Sequence, residues 1–185
     1  MGYLTGKLLL AMPNMGDPRF SRSIILLCAH SDDYAMGLVL NKPIDDLLLS
    51  DLLEQLEIEQ TIQLPRTHIL NGGPVATDRG FVVHSADYFS DGATLEVNES
   101  LCMTATNDIL KSIATGGAPE RRAMTLGYAG WGSGQLEYEL SENAWIVTDP
   151  TADLVFGVEH SQKWERALEV AGIGPGQLLI GGGNA

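Results

Sequence analysis

Residues 127–140 read Gly127-Tyr128-Ala129-Gly130-Trp131-Gly132-Ser133-Gly134-Gln135-Leu136-Glu137-Tyr138-Glu139-Leu140, and the stretch changes character half-way. Four glycines surround one indole, and an apolar/acidic pattern suited to a helix then takes over. Glycine is the residue of choice where backbone turns left-handed or approaches another group closely. The stretch therefore predicts a strand end, a tight corner around Trp131 and a helix from Gly134 to Leu140. Gln135 and Glu139 stand one helical turn apart and share a face. With the indole beside them they could wall a small pocket, although a purely structural corner uses the same residues. The structural corner is preferred.

Working outward, Ala123–Ala129 is the strand that feeds this corner, and Ala144–Thr148 is the strand that follows it. Near the start, Lys7–Ala11 is a first strand, ended by the loop Met12–Pro18 with its two prolines. Ser23–His30 is a second strand. Its alternate residues, Ile24/Leu26/Cys28 and Ile25/Leu27/Ala29, are apolar on both faces, so it belongs in the middle of a sheet covered on both sides. Met36–Asn41 follows the polar turn Ser31-Asp32-Asp33 as its hairpin partner. Short strands recur at 68–70, 81–85, 94–97 and 101–103. Three further helices are expected: about 50–58 capped by Ser50, about 107–115 capped by Asn107 and ended by Gly116, and one capped by Ser161 and ended by Gly172. Its stripe is Trp164, Ala167, Leu168 and Ala171. Strands with isolated helices, lacking regular β-α alternation, predict an α+β fold.

Bulk properties narrow the function classes. The 185 residues suit one domain, and 44% hydrophobic content supplies a core. Lys and Arg total 11 against 24 Asp and Glu, a net charge of −13 that repels phosphate backbones. Direct nucleic-acid binding is therefore disfavoured. The longest apolar run, Ile24–Ala29, is too short to span a bilayer, and no secretory leader opens the chain. A cytoplasmic protein is expected, with no membrane association. Cys28 and Cys102 do not form a secreted disulfide pattern.

Several strings, taken in order, carry a resemblance: Leu8-Leu9-Leu10-Ala11-Met12-Pro13, Phe20-Ser21-Arg22-Ser23, His30, Gly37-Leu38-Val39-Leu40-Asn41-Lys42-Pro43, Gly72-Gly73-Pro74-Val75, the 127–137 stretch and Asn143-Ala144-Trp145. Over about residues 4 to 170 the chain resembles the bacterial AlgH/YqgE family. The resemblance implies a complex α+β fold with a bifurcated, mostly antiparallel sheet, a small barrel-like part and surrounding helices, all in one domain over residues 1–185. On function it implies little: members carry a transcriptional-regulator label without an established biochemical activity. No basic helix-turn-helix accompanies that label here.

The chemistry-bearing candidates are few. Cys28 and His30, two apart on a strand, should share a face, where an imidazole could activate a thiol. The competing reading is a buried small residue beside a strand-end histidine, and it carries more weight. Asn71-Gly72-Gly73-Pro74 could expose backbone N–H groups as an anion-binding nest, but no phosphate-loop signature accompanies it, and a plain turn is preferred. Gly130-Trp131-Gly132-Ser133-Gly134 lacks the central serine of a nucleophile elbow. The four histidines, at 30, 68, 84 and 160, show no metal-ligand spacing. Neither a catalytic set, a metal site nor a cofactor is expected. The ligand-binding candidates are Trp131, Gln135, Glu139, His30, Gly72 and Gly73, with Cys28 as the redox candidate. The leading expectation is a non-enzymatic regulatory or binding protein with an unidentified protein or small-molecule partner. The alternative is an enzyme or thiol sensor with a pocket near Trp131, Gln135, His30 and Cys28.

Overall fold

The computed structural model describes residues 3–174 and Leu178. In chain order the elements are β1 (Leu8–Ala11), β2 (Ile24–His30), β3 (Tyr34–Val39), β4 (Pro43–Leu48), α1 (Leu49–Gln55), β5 (His68–Asn71), β6 (Val75–Ser85), β7 (Thr94–Glu96), β8 (Leu101–Thr104), α2 (Asn107–Ala114), β9 (Arg122–Gly132), α3 (Gln135–Ser141), β10 (Trp145–Thr148) and α4 (Lys163–Val170). The strands form one curled sheet ordered β10-β1-β2-β3-β9-β6-β8-β7, antiparallel at every step. β5 pairs parallel to β9 and antiparallel to β4. The fold is α+β with a half-barrel sheet that forks at β9, as expected.

The fork follows from the length of β9. Its last residues, Ala129–Gly132, pair with β3. Its first half pairs with β6, and Thr125 and Leu126 pair with β5. Between the halves stands Gly127, with φ +77°. A methyl group there would overlap the Gly73 carbonyl, and one on Gly73 (φ +151°) would overlap the Tyr128 backbone. Two main chains therefore cross here at a separation only glycine permits. Gly72 joins the same crossing: its N–H donates to the Leu126 carbonyl at 2.8 Å.

Strand β2 lies central and is covered on both sides. Ile24, Leu26 and Cys28 pack with α4 residues Trp164, Ala167 and Leu168, while Ile25 and Leu27 pack with Trp131, Leu136 and Trp145 under α3. A third cluster seats α1 and α2 on β5, β6 and β9 through Leu53, Ile69, Ile113 and Met124. Burying each such aliphatic side chain stabilises the fold by ~1.5–3 kcal/mol.

The structure corrects the expected helix starts. The Asp51 carboxylate, not Ser50, accepts the Leu48 N–H at 2.9 Å. Asn107 is the first helical residue rather than the cap, and Ser161 lies in a tight turn (His160–Gln162) before α4. Gly116 and Gly172 do end their helices, with φ +81° and +78°. Strand β4 was not expected: Asp45 and Asp46 interrupt its apolar pattern, Asp46 has φ +58°, and its register breaks between Pro43 and Leu48.

Candidate functional site

The corner itself falls later than its glycines suggest. β9 runs straight through Gly130, Trp131 and Gly132, and the chain turns only at Ser133 and Gly134 (φ +73°). Gly132 is not left-handed, so the tight corner expected around Trp131 does not turn there. The turn is fastened by side chains. Gln135 Oε1 accepts the Gly132 N–H at 3.0 Å, and the Ser133 hydroxyl donates to the Asp32 carbonyl at 2.8 Å. Gln135 thus secures the corner and lies exposed above it.

Sheet register decides which residues meet here. His30 pairs with Ala35, and Ala35 pairs with Trp131, which sets the three side chains in a row on one face. Cys28 is not on that face. A bulge between Leu27 and Ala29 inserts an extra residue into β2, so the two-residue alternation from Cys28 to His30 is lost. Cys28 packs into the α4 side of the core, where burial pushes its thiol up to about 12.

His30 is the most constrained polar group at the corner. The Leu4 N–H donates to Nδ1 at 2.9 Å, so Nδ1 carries no proton and Nε2 must. Nε2 in turn donates to Glu137 Oε1 at 2.6 Å. The imidazole is 5% exposed and the carboxylate 36% exposed. The buried ring therefore orients a carboxylate that still meets solvent. The hydrogen bond from His30 holds the Glu137 carboxyl below its ordinary range, helped by its own backbone N–H in the first turn of α3. The Tyr3 ring packs edge-on against His30 at 5.6 Å between centroids.

Glu137 and His30 lie in a cleft of about 670 Å³, together with Tyr3, Leu4, Asp32, Ser133 and Leu140. Its walls combine an aromatic ring and two leucines with acceptor groups, Asp32 and Glu137 being anionic.

The other candidates lie elsewhere. Trp131 is buried in the core and meets Trp145 edge-on at 6.0 Å. Glu139 turns toward these indoles rather than the cleft. Burial raises its carboxyl, and the Trp131 and Trp145 side chains oppose that shift, although Glu139 Oε2 and Trp145 Nε1 are buried without a hydrogen-bond partner among the described residues. Gly72 and Gly73 belong to the β9 crossing, and the Gly73 N–H is taken by Asn71 Oδ1 at 3.2 Å. Cys102 is buried and unpaired with Cys28. Among the described residues no group of three or more His, Cys, Asp or Glu could hold a metal, and no helix is long and apolar enough to cross a membrane.

Two polar features escaped the sequence reading. Glu137, two positions from both Gln135 and Glu139, is legible only once the order β2-β3-β9 brings α3 back over His30. Lys163 reads as a solvated charge, yet it is 1% exposed; its Nζ donates to the carbonyls of Leu40 at 3.0 Å and Val155 at 2.9 Å. Burial lowers its ammonium to about 8.

Comparison with known proteins accords with this fold. A family model described as AlgH-like matches residues 8–176. The chain belongs to the AlgH-like family. A UPF0301 protein of Ruegeria pomeroyi is 51% identical, with 98% of this chain and 99% of that protein aligned. A UPF0301 protein of Bradyrhizobium diazoefficiens is 49% identical over 100% of this chain and 89% of its own length. Among solved structures, the solution structure of AlgH from Pseudomonas aeruginosa superposes with a TM-score of 0.76 at 40% identity, covering 99% of this chain and 96% of AlgH. A Corynebacterium diphtheriae protein shares the fold at 20% identity, with a TM-score of 0.71 and coverage of 100% and 94%. The AlgH-like assignment thus names a fold and a lineage, while the chemistry has to be read from the cleft.

Proposed function

We propose that this AlgH-like protein is a cytoplasmic, non-enzymatic regulatory protein that works by capturing a small organic cation in the cleft beside His30 and Glu137. One observation carries the reading. A buried imidazole, fixed by the Leu4 N–H, presents a charged carboxylate to a cleft whose other polar side chains, Asp32 and Ser133, can accept hydrogen bonds. The apolar surfaces of Tyr3, Leu4 and Leu140 suit the hydrocarbon part of such a ligand, and an aromatic face beside a carboxylate suits its charge. The chain's net charge of −13 favours cations and disfavours direct contact with nucleic acid.

Catalysis is the weaker reading. A general base needs an available nitrogen, and both His30 nitrogens are engaged. The thiol-sensor reading is weakened by the separation of Cys28 from His30 and by its burial. A thermal-shift panel of primary amines, quaternary ammonium compounds and matched carboxylates tests the proposal, because a ligand of the folded state raises the melting temperature. Amines or quaternary ammonium ions should raise it for the wild type, and Glu137→Gln should lose that response while its unliganded melting temperature shifts only slightly. A response restricted to carboxylates, or one that Glu137→Gln retains, would overturn the assignment.

A further inference from the structure

A second cleft, on different residues, has the opposite chemistry. The short helical turn Pro18–Phe20, the β3–β4 connection and the loop after β5 meet around a space of about 180 Å³ lined by Arg19, Phe20, Val39, Lys42, Asn71 and Gly73, with Pro74 at its edge. None of these residues carries a carboxylate. Three of the chain's 11 Lys and Arg residues, Arg19, Arg22 and Lys42, gather at this corner of a molecule with a net charge of −13.

The donor inventory is what distinguishes it. Arg19 uses Nε and Nη2 on the Asp17 carboxylate, at 3.0, 3.1 and 2.7 Å, which leaves Nη1 without a protein partner among the described residues. Lys42 Nζ donates once, to the Ser21 carbonyl at 2.6 Å, and an ammonium carries three donors. Asn71 spends its Oδ1 on the Gly73 N–H, leaving its Nδ2 protons without a partner among the described residues. Arg19, Lys42 and Asn71 thus line one cleft with donors that no acceptor in its wall satisfies.

The segments that carry those donors are hydrogen-bonded to one another. Asn41 bridges segments by donating to the Arg22 carbonyl at 2.8 Å and accepting the Ile24 N–H at 3.1 Å. The Asn71 N–H donates to the Lys42 carbonyl at 2.7 Å, and the Val39 N–H to the Gly72 carbonyl at 2.9 Å. Burial and the neighbouring Arg22 charge lower the Lys42 ammonium, a repulsion that a bound anion would relieve.

We infer that this cleft binds a phosphate monoester, with the phosphoryl oxygens taking hydrogen bonds from Lys42 Nζ, Arg19 Nη1 and Asn71 Nδ2 while Phe20 and Val39 flank the ester carbon chain. Lysine serves here as a point charge for phosphate and arginine as a charge-assisted donor. The glycines contribute by letting the Asn71–Pro74 loop approach β9, and their N–H groups form no nest.

The test is a titration of the full chain with inorganic phosphate at ionic strength held constant with sodium chloride, followed in amide-resolved NMR spectra, with acetate as the parallel arm. Phosphate should produce saturable shifts focused on the Asn71 side-chain amide and on Gly73, and acetate should bind at least tenfold more weakly. Lys42→Gln should weaken phosphate binding at least tenfold. Arg19→Gln, whose side chain is largely exposed and contacts Asp17, keeps the folded spectrum and should weaken it severalfold, deciding the matter should Lys42→Gln fail to fold. Non-saturating or scattered shifts, undiminished binding by the folded variants, or acetate binding as tightly as phosphate would overturn the inference. None of these outcomes bears on the His30–Glu137 cleft.

Discussion

At Gly127 strand β9 crosses the Gly72–Gly73 segment so closely that a single added methyl would enter another main chain, whereas five residues later a methyl on Gly132 would meet only Gln135 Oε1, at 4.0 Å. The two glycines belong to one short sequence string and have unlike roles. The crossing is governed by backbone and divides the sheet between its β3 and β5 partners. The corner is governed by side chains, through Gln135, Ser133 and the His30–Glu137 pair. Architecture is concentrated at the first place, which leaves the second free to carry an exposed carboxylate and a cleft. The Trp131 indole belongs with the architecture, being buried against Trp145.

The largest effect should come from breaking the crossing. Gly73→Ala combines a positive φ with overlap of the Tyr128 backbone, and should destabilise the protein by more than about 4 kcal/mol. Loss of the folded far-ultraviolet circular dichroism signal, or a collapsed urea midpoint, would register it. Normal unfolding of Gly73→Ala would show that the crossing yields.

A second test asks how far this rigidity reaches along the α4 side. Lys163 ties α4 to the end of β3, and burial lowers its ammonium from 10.5 to about 8. Between those values the unfolded chain binds a proton that the folded chain lacks, so this group makes stability rise with pH. The full rise is roughly 3 kcal/mol. Urea midpoints at pH 8 and pH 10 should therefore climb more for the wild type than for Lys163→Met. Equal pH dependence would mean that the ammonium is solvated.

The smallest effect distinguishes the thiols from the corner. Cys28 and Cys102 are both buried, and burial holds the Cys28 thiol at about 12, so neither should react with Ellman's reagent until the chain unfolds. Fast labelling of Cys28 in the native state would bring the redox reading back.

Much of the fold was legible because its signals are local. The two apolar faces of Ile24–Ala29 required a central, doubly covered strand, and the Trp164, Ala167 and Leu168 spacing required an inward helix face. What escaped depends on longer-range geometry. The bulge at Cys28 follows from pairing with β3 and cannot be seen in β2 alone, so the expected Cys28–His30 proximity fails. Glu137 meets His30 across 107 positions of sequence. Gly127 and Gly132 look alike in one string, because what differs is the chain that passes beside them. Lys163 carried no sign of burial in its neighbours, since its partners are carbonyls of Leu40 and Val155 rather than a charged side chain.

The division between a backbone-governed crossing and a permissive corner is tested most directly by comparing urea denaturation of Gly127→Ala and Gly132→Ala under identical conditions. Gly127→Ala should lose several kcal/mol, about 3 or more, while Gly132→Ala should stay within about 1 kcal/mol of the wild type. Similar losses in both variants, or the reverse order, would contradict it.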